Sequence, residues 1–133
     1  IKAGYVVNLV NHIMIFKVNG NLQQIDILST KNKKFFEIKK PQIGIFERAY
    51  SYPLLATKLN KKRLKFRSPG AVALSLVNSR NFNFVLFAGS IREFDIAAAL
   101  YICSELFIHQ EAEFLIMAKN KYYFTLIKEI IKE

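Results

Sequence analysis

The sequence predicts a fold of the α/β class, a layered α+β sandwich. Three observations carry this. Asn19-Gly20 stands between two apolar, β-branched-rich runs, a strong short-range hairpin signal. An Ala-rich run, IAAALYIC, opens directly after Asp95 and has the length of a buried helix. The closing segment, NKYYFTLIKEIIKE, spaces Phe124, Ile127 and Ile131 at the i, i+3, i+7 intervals of an amphipathic helix. Strands come first, then helix–strand–helix–strand–helix, and that order favours packed layers. No repeat or linker interrupts the chain, so residues 1–133 read as a single domain.

Taken in order, NLVNHIMIFKVNGNLQQIDILST reads as the hairpin, with His12 inside a strand. KKFFEIKK alternates and is aromatic, which predicts a short third strand. PQIGIFER predicts a turn and a short strand, with Gly44 marking a tight approach. SYPLLATKL reads as a further strand, and LKF as one more. Ser68-Pro69-Gly70 is turn chemistry; Ser68 can cap and Pro69 can occupy the first turn of a helix over AVALSLVNS. NFNFVLF (81–87) alternates as a strand, its Phe residues better suited to packing than to stacking bases. Asp95 opens the next helix, with Ile96, Leu100, Cys103 and Phe107 roughly on one face and His109 after it. EFLIMA (113–118) is a short buried strand.

Composition limits the function classes. Apolar residues make up 52% of the 133, enough for a folded core rather than a disordered chain. No apolar run reaches bilayer length, no secretory pattern opens the chain, and the one cysteine, Cys103, permits no internal disulfide. A cytoplasmic, reducing setting with no membrane partner is therefore expected. Ile1 rather than Met begins the sequence, so a trimmed product or a piece of something longer is expected. The net charge of +10 is carried by KNKK (31–34), Lys39-Lys40 and KLNKKRLKFR (58–67). Such runs suit RNA or another polyanion, or simply a solvated Lys-rich surface.

Three segments carry a family resemblance: FRSPGAVALSL (66–76), IREFDIAAALYICSE (91–105) and LIMAKNKYYFTLIKEII (115–131). They resemble, in that order, an R-S-x-G-[ST]-A-A-L loop entering a helix, a W-D-[IV]-A-A-G helix that continues to a Glu, and a closing A-x-N segment with its helix. Together they are similar to the inositol monophosphatase family, including its bacterial extragenic-suppressor branch, over the C-terminal portion and part of the central sheet. A weaker likeness covers KVNGNLQQIDILSTKNKKFFEIKKPQIGIF. The resemblance implies Mg²⁺-dependent hydrolysis of small phosphate monoesters such as inositol monophosphate, with metals activating a water and neutralising the leaving group. It puts Gly70 and Ala71 at the phosphate and Asp95 among the metal ligands. Asp95 thus has two readings, helix cap and ligand, and one position can serve both.

The same resemblance shows what is missing. No D-P-[IL]-D-G-T occurs, the upstream Glu pair is absent, and Lys2 and Ala3 stand where carboxylates belong in IKAGYVVNLV. Ala88 replaces a substrate-binding Glu, Ala71 a hydroxyl residue, and Leu106 and Phe107 two glycines after Glu105. One carboxylate cannot build a two-metal site, so a truncated, eroded member, catalytically inactive alone, is expected. A restored phosphatase with the missing half supplied by another chain is the second hypothesis. The third is binding of RNA or transcription factors, as the extragenic-suppressor branch implies. A fold cut in half exposes apolar surface, so a homodimer is a further expectation. His12 and His109 lack ligand spacing, and Cys103, on an apolar helix face, reads as a buried structural thiol.

Overall fold

The structure, a computed structural model, describes residues 2–133. Its first three strands, β1 (Ala3–Asn8), β2 (Ile13–Val18) and β3 (Asn21–Asp26), form an antiparallel sheet in that order. The Asn19-Gly20 signal is realised at the β2–β3 turn: both residues take positive φ, 48° and 81°, as a type I′-like connection demands. A second sheet runs in the order β5-β4-β6-β8-β7. Its members are β4 (Gly44–Glu47), β5 (Phe66–Arg67), β6 (Val85–Ala88), β7 (Phe107–Gln110) and β8 (Phe114–Ala118). β4 is parallel to both β5 and β6, whereas β8 is antiparallel to β6 and β7. The helices are α1 (Pro53–Lys61), α2 (Val72–Val77), α3 (Glu93–Ile102) and α4 (Lys121–Lys132).

Period-two alternation sorts the sheet's side chains into two cores. Val85 and Phe87 of β6, and Leu115 and Met117 of β8, pack with Leu76 of α2 and with Ile96, Ala99 and Ile102 of α3. Their neighbours Leu86, Ala88, Ile116 and Ala118 point the other way, onto Leu55 and Leu59 of α1 and Ile127 and Ile130 of α4. The five-stranded sheet is thus buried on both faces, which is why β6 and β8 read as continuous apolar runs. Ile15 of β2 joins the first core, with Val6 and Ile13 packed against it, so the small sheet covers α2 and α3 from outside. The layers run small sheet, helix pair, large sheet, helix pair. This is the mixed, layered architecture expected. Each fully buried side chain such as Phe46, Phe84 or Leu59 contributes about 1.5–3 kcal/mol.

Gly44 is where the core leaves no room. A Cβ there would lie 2.2 Å from the ring of Phe84, which is wholly buried. The tight approach read from the sequence is therefore a ring packed flat on backbone.

Several local expectations are corrected. SYPLLATKL is not a strand: Pro53 sits at the start of α1, and Leu55 and Leu59, one turn apart, are its buried stripe. Pro at a first helical position is favourable, and that outweighs the apolar run's strand-like look. KKFFEIKK joins no sheet; nearby, only Asn32 bridges back to Ile25. The first residues, given no element, form β1, and FIHQ, also unassigned, forms β7 around His109. His12 lies in the β1–β2 turn with φ 62°, not in a strand. Phe107 is a partly exposed β7 residue rather than part of α3's face, which buries Ile96, Ala99 and Ile102. Cys103 is buried as expected, its thiol directed at the carbonyl of Leu76 at 3.3 Å.

Candidate functional site

β4 and β6 run parallel, and their C-terminal ends are the edge where ligands usually gather in such sheets. β4 ends on Glu47, a carboxylate 2% exposed at the end of the otherwise apolar run GIFE. It is not left unpaired. The N–H of Gly70 donates to Oε1 at 2.9 Å, the N–H of Ala71 to Oε2 at 3.0 Å, and the Ser75 hydroxyl to Oε2 at 3.0 Å. Charge-assisted bonds of this kind are what makes a buried carboxylate tolerable. Gly70 has φ +86°, a left-handed conformation that side-chain-bearing residues rarely adopt, and this turn aims two consecutive N–H groups at one anion.

A cavity of about 310 Å³ opens beside this cluster, lined by Glu47, Arg48, Ser68, Gly70 and Phe87 among others. Arg48 also has left-handed backbone, φ 63°, and lays its guanidinium over the Phe87 ring at 5.2 Å. Ser68 and Pro69 lie outside α2. The residue that caps it is Ala71, whose side chain accepts nothing, so the cap expected of Ser68 is replaced by the Glu47 carboxylate below the loop.

Asp95 lies in the first turn of α3, two residues inside its start, where its charge complements the helix dipole. It makes no side-chain cap: its carboxylate is held by Arg92 Nε at 2.9 Å, an exposed pair, and Asp95 is not among the residues lining the cavity beside Gly70. Ala88, standing where the resemblance expects a substrate carboxylate, is fully buried in the α1–α4 core. Glu105 is drawn to Arg80 and, at 3.5 Å, to Lys17. Among the described residues no group of three or more His, Cys, Asp or Glu side chains could hold a metal ion. The donor set present therefore does not fit a paired Mg²⁺ centre. His109 bonds Glu111 at 2.8 Å, and this bond is the main cause of the Glu111 carboxyl lying below its ordinary range.

The structure brings Gly70 and Ala71 together, as the resemblance implied, but around Glu47, which sequence reasoning passed over. One signal was legible: an acid ending a four-residue apolar strand has to find partners when that strand is buried on both faces.

No protein-family model matches the chain, and no curated protein matches it in sequence. Solved structures do match in shape. The Thermotoga maritima IMPase TM1415 superposes with a TM-score of 0.70 at 15% identity, over 98% of this chain and 57% of its own. Mycobacterium tuberculosis SuhB gives a TM-score of 0.70 at 16% identity, over 98% of this chain and 58% of its own. The extragenic suppressor protein SuhB from Bartonella henselae gives 0.58 at 11%, over 91% and 63%. The chain thus spans less than two thirds of the length of each. Among the described residues no helix is long and apolar enough to cross a membrane. Over nearly all its length, this chain has the fold of the inositol monophosphatase and SuhB structures.

Proposed function

We propose that this chain is an inositol monophosphatase-like protein that does not by itself carry out the Mg²⁺-dependent hydrolysis of phosphate monoesters its fold suggests. The observation behind this reading is the occupation of the phosphate loop. The two N–H groups that the resemblance gives to a phosphate are bound to Glu47, an anion built into β4. A substrate phosphate would have to displace that carboxylate or approach it against like-charge repulsion. Asp95, the remaining ligand candidate, is paired with Arg92 and has no carboxylate group assembled around it among the described residues. The test is release of phosphate from inositol monophosphate with and without Mg²⁺. The reading predicts a rate equal to the protein-free blank in both; Mg²⁺-dependent turnover that disappears in Asp95→Ala would overturn it.

A second reading has its own observation. Lys61, Lys62, Arg63, Lys65 and Arg67 are all exposed, clustered on the end of α1 and the connection into β5. That basic patch suits a polyanion such as RNA, as the extragenic-suppressor likeness suggests. Binding of single-stranded RNA that falls steeply with salt and is lost in Lys61→Ala/Lys62→Ala/Arg63→Ala supports it; salt-insensitive or absent binding removes it.

A further inference from the structure

We propose a second ligand site at the end of the five-stranded sheet opposite Glu47, a pocket for a small anion carrying a flat, N–H-donating ring, the class to which 5′-mononucleotides belong. β4 and β6 leave Glu47 and Ala88 at one end and begin at Gly44 and Val85 on the other, with Asn83 just before β6. β8 runs antiparallel to β6, so Asn120, beyond its last residue Ala118, reaches the same end as Asn83. Both line a cavity of about 420 Å³, within the size range of small-molecule pockets.

Its charge is one-sided. Lys39, Lys40, Arg80 and Lys119 line it, and no acidic residue does. Arg80 is committed to Glu105 and Lys119 to Glu37, whereas Lys39 and Lys40 have no ion-pair partner among the described residues. The wall carrying these lysines is tied down. The Ile38 N–H donates to Asn81 Oδ1 at 2.9 Å, and the Asn83 N–H to the Ile43 carbonyl at 3.0 Å. Phe82 and Tyr123 supply ring faces on which a base can stack.

Asn83 is the group that calls for a ligand. It is 6% exposed, and its Oδ1 is the buried side-chain oxygen without a hydrogen-bond partner among the described residues. Buried acceptors are nearly always paired, and a ring N–H reaching in from the cavity would pair this one. Asn120 spends its Oδ1 on the N–H of Tyr122 at 2.8 Å, capping α4, which leaves its amide N–H groups as donors. An acceptor at Asn83 and a donor at Asn120 match the mixed edge of a nucleobase, while Lys39 and Lys40 take the phosphate. The site is independent of the Glu47 cluster and of whether the chain hydrolyses anything.

The test is calorimetric titration of the whole chain with adenosine 5′-monophosphate, inorganic phosphate and a short single-stranded RNA. Wild type is compared with Lys39→Ala/Lys40→Ala and with Lys31→Ala/Lys33→Ala, a surface variant of equal charge loss. Saturable one-site binding of the nucleotide is expected, weakened about tenfold or more in the first variant and by less than about twofold in the second. Phosphate alone should bind at least about tenfold more weakly than the nucleotide. No saturable nucleotide binding, or equal losses in both variants, overturns the site. Tighter binding of the RNA than of the nucleotide overturns the assignment to a mononucleotide.

Discussion

The carboxylate of Glu47 accepts the backbone N–H of Gly70 at 2.9 Å, so the end of β4 anchors the loop that leads into α2. Ala71 and Ser75 complete the same anion's shell. Glu47→Ala leaves two loop N–H groups and a hydroxyl without their acceptor and should cost about 3 kcal/mol. Urea unfolding of the two proteins measures this. The same variant frees the donors, so phosphate should raise its melting temperature more than that of wild type.

Gly44→Ala puts a methyl into the Phe84 ring and should destabilise by about 1–3 kcal/mol. Phe84→Leu in the same chain makes room, so the double variant should lose less than the sum of the singles. A thermal double-mutant cycle gives the coupling.

Cys103 is buried, and burial pushes its thiol above the ordinary value. Only the thiolate reacts readily, so a disulfide reagent should label it at the rate at which the chain opens, and at once in denaturant. Fast labelling of the folded chain would contradict its place between α2 and α3.

Asp26 ends β3 by accepting the N–H groups of Leu28 and Ser29, and these bonds hold its carboxyl below the model value of 3.8. A lowered folded value means the stabilisation is present above that ordinary value and is lost as pH falls through the lower folded one. Stability should therefore drop on the acid side, and Asp26→Asn should flatten that drop without changing the neutral plateau's pH dependence. Acid titrations followed by circular dichroism compare the slopes.

Much of this fold was legible in local chemistry. Asn19-Gly20 fixed the β2–β3 turn because only a few residue pairs accept positive φ twice over. α4 was legible because its apolar spacing faces a single core. α1 was not: LL in SYPLLATKL suits either element, and the choice fell to Pro53 at its start and to the α4 surface it covers. β1 and β7 were missed for a related reason. Both are paired strands with partly exposed faces, so neither shows the clean alternation or the long apolar run that marks a strand in isolation. At the candidate site, Gly70 and Ala71 were legible through the family-like loop, but Glu47 was not, because its role depends on a contact across 23 residues of chain. Asp95's ion pair with Arg92 was local and could have been read from the i, i+3 spacing.

The central claim is that this chain, alone, has no Mg²⁺ centre at Asp95. Its most direct test is a Mg²⁺ titration by calorimetry of wild type beside Asp95→Ala. The account predicts no saturable heat in either protein below millimolar Mg²⁺. Saturable binding in wild type that vanishes in Asp95→Ala would contradict it, and would mean that carboxylates converge on Asp95 after all.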